Sequence, residues 1–114
     1  KDDFRLSLKN ILLYEEKVAK TKELSQFVTV SKVKEVGPNY IVKEFFPNSI
    51  EISKVTNPHD LKKMNEALKK VQQHTRANAD ILNQKLYDKI AERSGNLHWD
   101  PATEKIVIID ALGF

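Results

Sequence analysis

One segment of the chain, residues 57–93, has the pattern of a single helix that is too long for a domain of 114 residues. Asn57 suits the N-cap, Pro58 suits the first helical position, and Asp60 brings a carboxylate to the positive end of the helix. The pair Ser94-Gly95 then marks its end. Between these signals one helix face repeats at intervals of three and four residues, at Leu61, Met64, Leu68, Val71, Thr75, Asn78, Leu82, Leu86 and Ile90.

The length of this helix leaves two arrangements. Unbroken, it would span about 50 Å at ~1.5 Å per residue, whereas a globular chain of this size has a radius of gyration of only ~13 Å. Two positions on the repeating face, Thr75 and Asn78, are polar where the pattern calls for apolar residues. We therefore expect the helix either to break near residues 74–78 or to project from the domain and meet a partner.

Shorter elements surround this segment. Residues 1–26 have the pattern of one amphipathic helix, and three strand candidates follow at residues 27–36, 40–46 and 49–55. Turn signals separate the strand candidates, at Gly37-Pro38-Asn39 and at Pro47-Asn48. Since short turns join neighbouring antiparallel strands, we expect a three-stranded meander packed under a helix.

The C-terminal residues predict a β-hairpin, in which Asp100-Pro101 begins the turn between residues 97–99 and the most apolar strand of the chain, residues 105–109. The predicted fold is α+β, with an N-terminal helix, a three-stranded antiparallel meander, a long or broken helix and the hairpin, in one domain over residues 1–114. The order of the first four elements resembles that of RWD-type protein-interaction domains. Because the chain starts at Lys1 and its only methionine is Met64, we expect it to be an excised part of a larger protein.

Composition narrows the classes of function. The chain has no cysteine, which excludes disulfides, thiolate metal sites and a cysteine nucleophile. Its three histidines, His59, His74 and His98, lack the spacing of a metal site, and its three glycines are too dispersed for a phosphate-binding loop. No apolar run reaches the ~18 residues needed to cross a bilayer. We therefore expect an intracellular, cytoplasmic domain without enzymatic activity, cofactor, metal or membrane contact.

The leading hypothesis from these patterns is a protein-interaction or oligomerisation module. Both long helices carry polar residues within an apolar face, a pattern typical of helices that pair in a defined register as a short coiled coil. A protein partner or a second copy of the chain would lie along the long helix. Four apolar anchors and two register-setting polar residues form the predicted partner-binding face: Leu68, Val71, Leu82 and Leu86, with Thr75 and Asn78.

Two segments resemble protein-kinase-like proteins. Residues 40–46, Tyr-Ile-Val-Lys-Glu-Phe-Phe, are similar to the third strand of that family, whose lysine pairs with nucleotide phosphates. Residues 95–100, Gly-Asn-Leu-His-Trp-Asp, followed by residues 106–110, Ile-Val-Ile-Ile-Asp, are similar to the family's metal-binding asparagine, short hairpin and metal-binding aspartate.

The resemblance implies an alternative function. By that likeness Lys43 would meet phosphate, Glu66 would pair with Lys43, and Asn96 and Asp110 would hold magnesium. The family's catalytic-loop aspartate falls at a position that carries Ala91 in this chain. The implied function is accordingly a degenerate kinase-like nucleotide-binding domain.

A second alternative is binding of single-stranded nucleic acid. The chain is mildly basic, with a net charge of +3 and a pI near 9.1. Lysines alternate with aromatic residues along the strand candidates, and exposed aromatic residues among cations suit unpaired bases, at Lys32, Lys34, Lys43, Lys54, Tyr40, Phe45 and Phe46. The C-terminal hairpin also resembles that of small bacterial nuclease toxins, so a nuclease-toxin domain belongs to the same alternative.

Overall fold

The computed structural model describes residues 2–109, and it describes side chains from residue 8 onward. Within that range four helices, six strands and one 3₁₀ turn follow in chain order, and the α+β class is confirmed. Their bounds are α1 Asp2–Lys20, α2 Lys22–Ser25, β1 Val28–Val30, β2 Val33–Val36, β3 Ile41–Lys43, β4 Ile50–Glu51, the 3₁₀ turn Ile52–Lys54, α3 Pro58–Ala77, α4 Ile81–Glu92, β5 Leu97–Asp100 and β6 Lys105–Ile108.

The main sheet is built around the predicted C-terminal hairpin. Its strand order is β1-β6-β5-β4, with β5 and β6 antiparallel in the centre. On one side β1 lies parallel to β6, with Val28 opposite Ile106. On the other side β4 lies antiparallel to β5, with Ile50 opposite Trp99. The central position of β6 follows from its composition, because a strand that is buried on both faces reads as a continuous apolar run.

The predicted meander is wrong in its pairing. Of the three expected strands, only the two that flank the turn at residues 37–39 are paired with each other, as β2 and β3 in a separate two-stranded sheet. The first strand candidate is interrupted at Ser31 and Lys32, and its N-terminal half pairs with β6 instead. The third candidate contributes only Ile50–Glu51 before the chain turns into the 3₁₀ segment. Turn signals favour pairing between strands that are adjacent in the sequence. In the structure the apolar β5–β6 hairpin is instead flanked by β1 and β4, which therefore pair with it and not with β2 and β3.

The turn between β2 and β3 depends on a glycine. The Gly37 N–H donates to the Tyr40 carbonyl at 2.8 Å, and the Tyr40 ring covers the glycine closely. A Cβ atom on Gly37 would lie 1.9 Å from that ring. Any other residue would therefore displace the tyrosine.

The long helix is broken, as one of the two predicted arrangements requires. The Asn57 side chain accepts hydrogen bonds from the backbone of His59 and Asp60, which confirms the predicted N-cap. Helix α3 ends at Asn78, and α4 begins after Asp80, whose side chain accepts from the Asn83 N–H at 2.8 Å. The chain measures 43 × 32 × 23 Å along its principal axes, so a straight helix of about 50 Å would not fit within it.

The C-terminal ends of the N-terminal helix and of the long helix both differ from their predicted positions. The N-terminal helix does not run to residue 26, because Thr21 is extended and separates α1 from the short α2. Helix α4 ends at Arg93, which takes the left-handed conformation with φ of 55°. Gly95, the expected stop signal, has no positive φ. The left-handed cap is thus formed two residues earlier, by an arginine.

One core joins the helices to the main sheet. On α1, the residues that face the core include Ile11 and Tyr14. The Tyr14 hydroxyl donates to the Leu82 carbonyl at 3.2 Å, and the Lys17 ammonium contacts the Asp80 carboxylate at 2.5 Å. These two contacts hold α1 against the break between α3 and α4. The fully buried members of the core also include Met64, Val71, Leu86, Leu97, Trp99, Ile106 and Ile108.

Candidate functional site

The predicted partner-binding face lies inside the domain. Leu68, Val71, Thr75 and Leu86 are buried, Leu82 is half-buried against the same core, and Asn78 alone of the six is exposed. Because α4 folds back beside α3, the two halves of the helix cover each other instead of presenting a shared face. These residues pack within the chain, and their role in binding a partner stays a prediction.

The two polar residues on that face have roles within the helix. The Thr75 hydroxyl donates to the Gln72 carbonyl at 3.1 Å, so its burial needs no partner molecule. Asn78 ends α3, and its side-chain amide donates to the His74 carbonyl at 3.1 Å. The Asn83 amide in turn donates to the Asn78 carbonyl across the break. The polar interruption predicts the break correctly, and its role in setting a binding register stays a prediction.

The residues of the kinase-like resemblance come together in part. The Lys43 ammonium, at the end of β3, donates to the carbonyl of Ile109. The Ile109 N–H donates to the Asn96 carbonyl at 2.9 Å. Lys43 and Asn96 therefore meet across one residue at the open end of the β5–β6 hairpin. Asp110 is the next residue in the chain, and it lies outside the described residues.

Ser31 positions β3 at this end of the hairpin. Its N–H donates to the Ile108 carbonyl at 3.0 Å, and its hydroxyl donates to the Glu44 carbonyl at 2.5 Å. The Glu44 N–H donates to the Lys32 carbonyl at 2.7 Å, which ties the same segment a second time. Since Ser31 is 2% exposed, these bonds are shielded from water. They place the end of β3 beside the end of β6 and so bring Lys43 to Ile109.

Glu66 does not join this group. It is exposed on α3, and it borders a surface depression together with Thr103 and Glu104 of the β5–β6 turn. That turn is at the opposite end of the hairpin from Asn96, about 17 Å away at ~3.4 Å per strand residue. The predicted pairing of Glu66 with Lys43 is therefore wrong, because the helix face that carries Glu66 points to the other end of the sheet.

Sequence reasoning does not find a carboxylate that lies near the open end of the hairpin. Glu51 of β4 approaches Gly95, and a Cβ atom added to that glycine would lie 3.4 Å from the Glu51 Oε1 atom. The Ser53 hydroxyl donates to the same oxygen at 3.0 Å. No signal in the sequence predicts this neighbour, because β4 pairs with a strand almost fifty residues away. We define the hairpin-end cluster as Lys43, Glu51, Asn96 and Ile109.

A serine and a histidine next to the cluster are not arranged for nucleophilic catalysis. Ser49 Oγ is 3.1 Å from His98 Nδ1. The same hydroxyl lies 2.9 Å from the Phe46 carbonyl, so this carbonyl competes with the imidazole for its single proton. Burial lowers the pKa of His98, while the nearby Glu51 carboxylate opposes that shift. A neutral histidine that orients β4 against β5 accounts for this contact.

The residue at the position of the family's catalytic aspartate has no acid–base chemistry. Ala91 is exposed on α4, and its methyl side chain has no proton to exchange. Within residues 8–109, no three histidine, aspartate or glutamate side chains form a group that could hold a metal ion. Along the described part of the chain, no helix has the length and apolar character required to cross a membrane.

The residues of the nucleic-acid alternative lie around β2 and β3. Lys32 and Lys34 are exposed, and Phe45 is 79% exposed. Tyr40 is also exposed, and its hydroxyl donates to the Glu35 carboxylate at 3.0 Å. One acidic residue therefore lies among the cations, and the nucleic-acid alternative stays a prediction.

Comparison of the chain with protein-family models, with curated proteins and with solved structures finds no match.

Proposed function

We propose that this domain binds a nucleoside triphosphate with magnesium at the hairpin-end cluster and does not transfer its phosphate. The observation that carries the proposal is the meeting of Lys43 and Asn96 across Ile109. These two residues are more than fifty positions apart in the sequence, and the kinase-like resemblance independently assigns them to phosphate and magnesium binding. Their contact with the residue that directly precedes Asp110 supports a common site.

The chemistry of these residues suits that ligand. An ammonium group binds phosphate as a compact point charge. Magnesium prefers oxygen ligands, commonly one or two carboxylates together with phosphate oxygens and water. The Asn96 side-chain amide and the Asp110 carboxylate offer such oxygens. Lys43 would share its contact with the Ile109 carbonyl, or exchange it, when a phosphate arrives.

Binding without transfer is the function that these residues support. Phosphoryl transfer relies on a carboxylate that accepts the proton of the attacking hydroxyl. Ala91 stands at the position where the resemblance requires that carboxylate. Glu66, which would orient the lysine in an active member of that family, lies at the other end of the sheet. The proposed nucleotide binding is compatible with the cytoplasmic location that is expected from the sequence.

Isothermal titration calorimetry with ATP and magnesium tests the proposal. Wild-type protein should bind, and Lys43→Ala should reduce the affinity at least tenfold. Lys34→Ala is the matched control, because it removes an exposed lysine from the neighbouring strand. Circular dichroism should show that both variants are folded. Absence of binding by the wild type, or equal loss in both variants, would refute the proposal.

Interaction with another protein is the second candidate. The face that the sequence assigns to it is buried, so this candidate depends on a different surface. The observation that favours it is the pair of exposed leucines on α1, Leu12 and Leu13, which are 47% and 43% exposed.

A further inference from the structure

Helix α1 has apolar residues on two opposite faces. Ile11, Tyr14 and Val18 face the core and are almost fully buried. Leu12 and Leu13 lie on the far side of the helix and remain exposed. Together with three neighbours they border one shallow groove along the outer side of α1, lined by Leu8, Lys9, Leu12, Leu13 and Glu16. We call this set the α1 outer face.

Charge is distributed along the α1 outer face in a defined order. Lys9 lies about one turn before the leucine pair, and Glu16 lies about one turn after it. Along the helix, the α1 outer face therefore carries a positive residue, then two apolar residues, then a negative residue. The Glu16 carboxylate also accepts a hydrogen bond from Lys20 at 2.5 Å, which lowers its pKa, so it would be shared between Lys20 and the Lys9 of a second copy.

This order is complementary to itself when one copy is reversed. A two-fold axis between Leu12 and Leu13 would set each Lys9 opposite Glu16 of the second copy and each Leu12 opposite Leu13. A two-fold interface uses the same patch on both subunits, so self-complementarity is what it requires. Parallel pairing would instead set lysine opposite lysine and glutamate opposite glutamate, which costs energy.

We propose that the α1 outer face is the contact between two copies of this chain, packed with their α1 helices antiparallel. The proposal is independent of nucleotide binding, since the hairpin-end cluster lies on other elements. It retains the self-association expected from the sequence and moves it from α3 and α4 to α1.

The dimer is expected to be weak. Stable protein interfaces bury about 1,200–2,000 Å² in total, and smaller ones belong to transient contacts. The α1 outer face extends over only two to three helical turns. We therefore expect a dissociation constant in the micromolar range that rises with salt.

Sedimentation velocity over a concentration series tests the proposal through charge reversal. Lys9→Glu and Glu16→Lys should each abolish the dimer, because each leaves like charges facing across the axis. An equimolar mixture of the two variants should form a heterodimer, because positions 9 and 16 of the two chains then carry opposite charges in both facing pairs. Lys62→Glu, an exposed lysine on α3, should leave dimerisation unchanged.

The result expected for the wild type is a monomer–dimer equilibrium below 1 mM that weakens with salt. Since Lys9 and Glu16 contact solvent and do not belong to the core, the variants should keep their circular dichroism spectra. A strictly monomeric wild type would overturn the proposal, and a different protein would then be the remaining candidate to bind the groove. A dimer that ignores either charge reversal, or a variant mixture that stays monomeric, would overturn it as well.

Discussion

Replacing Leu86 by alanine distinguishes two possible roles of this residue, packing in the core of the domain and binding of a partner. Leu86 has no exposed surface and lies on α4 within the core. If its role is to pack the domain, Leu86→Ala destabilises the isolated chain. If its role were to bind a partner, the isolated chain would tolerate the change.

The magnitude follows from its burial. Replacing a fully buried leucine by alanine costs about 2.7–5.0 kcal/mol, depending on how far the cavity collapses. A domain of this size has a total stability of roughly 5–15 kcal/mol. With 1 kcal/mol equivalent to about 4 °C in Tm for a domain slightly longer than 100 residues, we expect Tm to fall by about 10–20 °C.

Leu12→Ala is the matched control, because it makes the same chemical change at a site that is 47% exposed. Surface substitutions of this kind stay within about 0.5 kcal/mol. Thermal and urea denaturation should be measured at low micromolar protein and high salt, because salt weakens the proposed dimer. A Leu86→Ala variant as stable as the Leu12→Ala variant would refute the packing described here for α4.

The remaining predictions concern single contacts. Asn57→Ala removes the acceptor for two backbone N–H groups at the start of α3 and should cost about 1 kcal/mol in urea unfolding; an unchanged midpoint would contradict that cap. Asp80→Asn keeps the cap oxygen of α4 and loses the charge that faces Lys17, so it should destabilise less than Asp80→Ala, and equal losses would assign the whole effect to the charge. Burial lowers the pKa of His98, so the unfolded chain binds the proton more readily and stability falls as pH drops below about 6.5. His98→Gln should flatten that fall between pH 7.5 and 5.5 in thermal melts, and parallel curves would contradict it. Phe45→Ala should leave Tm unchanged because the ring is 79% exposed, and it should abolish any binding to a single-stranded oligonucleotide if the nucleic-acid alternative holds.

Local signals in the sequence predict the local structure well. The Asn57 cap, the break at Asn78 and the hairpin turn at Asp100 are all present. In that turn the Asp100 side chain accepts from the Ala102 N–H at 3.1 Å and from the Thr103 hydroxyl at 3.0 Å. Each of these features depends on residues within a few positions of one another, so the sequence specifies them directly.

Pairing between distant segments cannot be predicted in the same way. Val28 lies opposite Ile106 in a parallel pair, and no residue near either strand indicates the other. The two faces of α1 show the same limit. The apolar positions of that helix include Ile11 and Leu12, and periodicity alone does not indicate which of the two packs on the sheet.

For the candidate site, the sequence predicts which residues could bind a nucleotide, but it does not predict which of them lie close together. Lys43 and Asn96 are predicted from a resemblance, and the structure brings them together through the backbone of Ile109. The prediction for Glu66 is wrong because helix position alone does not say which end of a sheet the helix covers. Glu51 escapes prediction because its approach to Gly95 depends on the pairing of β4 with β5.

An amide-resolved NMR titration with ATP and magnesium is the sharpest test of nucleotide binding at the hairpin-end cluster. We predict that the shifts which saturate first belong to the amides of Lys43, Asn96 and Ile109. Amides in the β5–β6 turn beside Glu66 should move little. Shifts confined to that turn, or no shift at millimolar nucleotide, would contradict a nucleotide site at the open end of the hairpin.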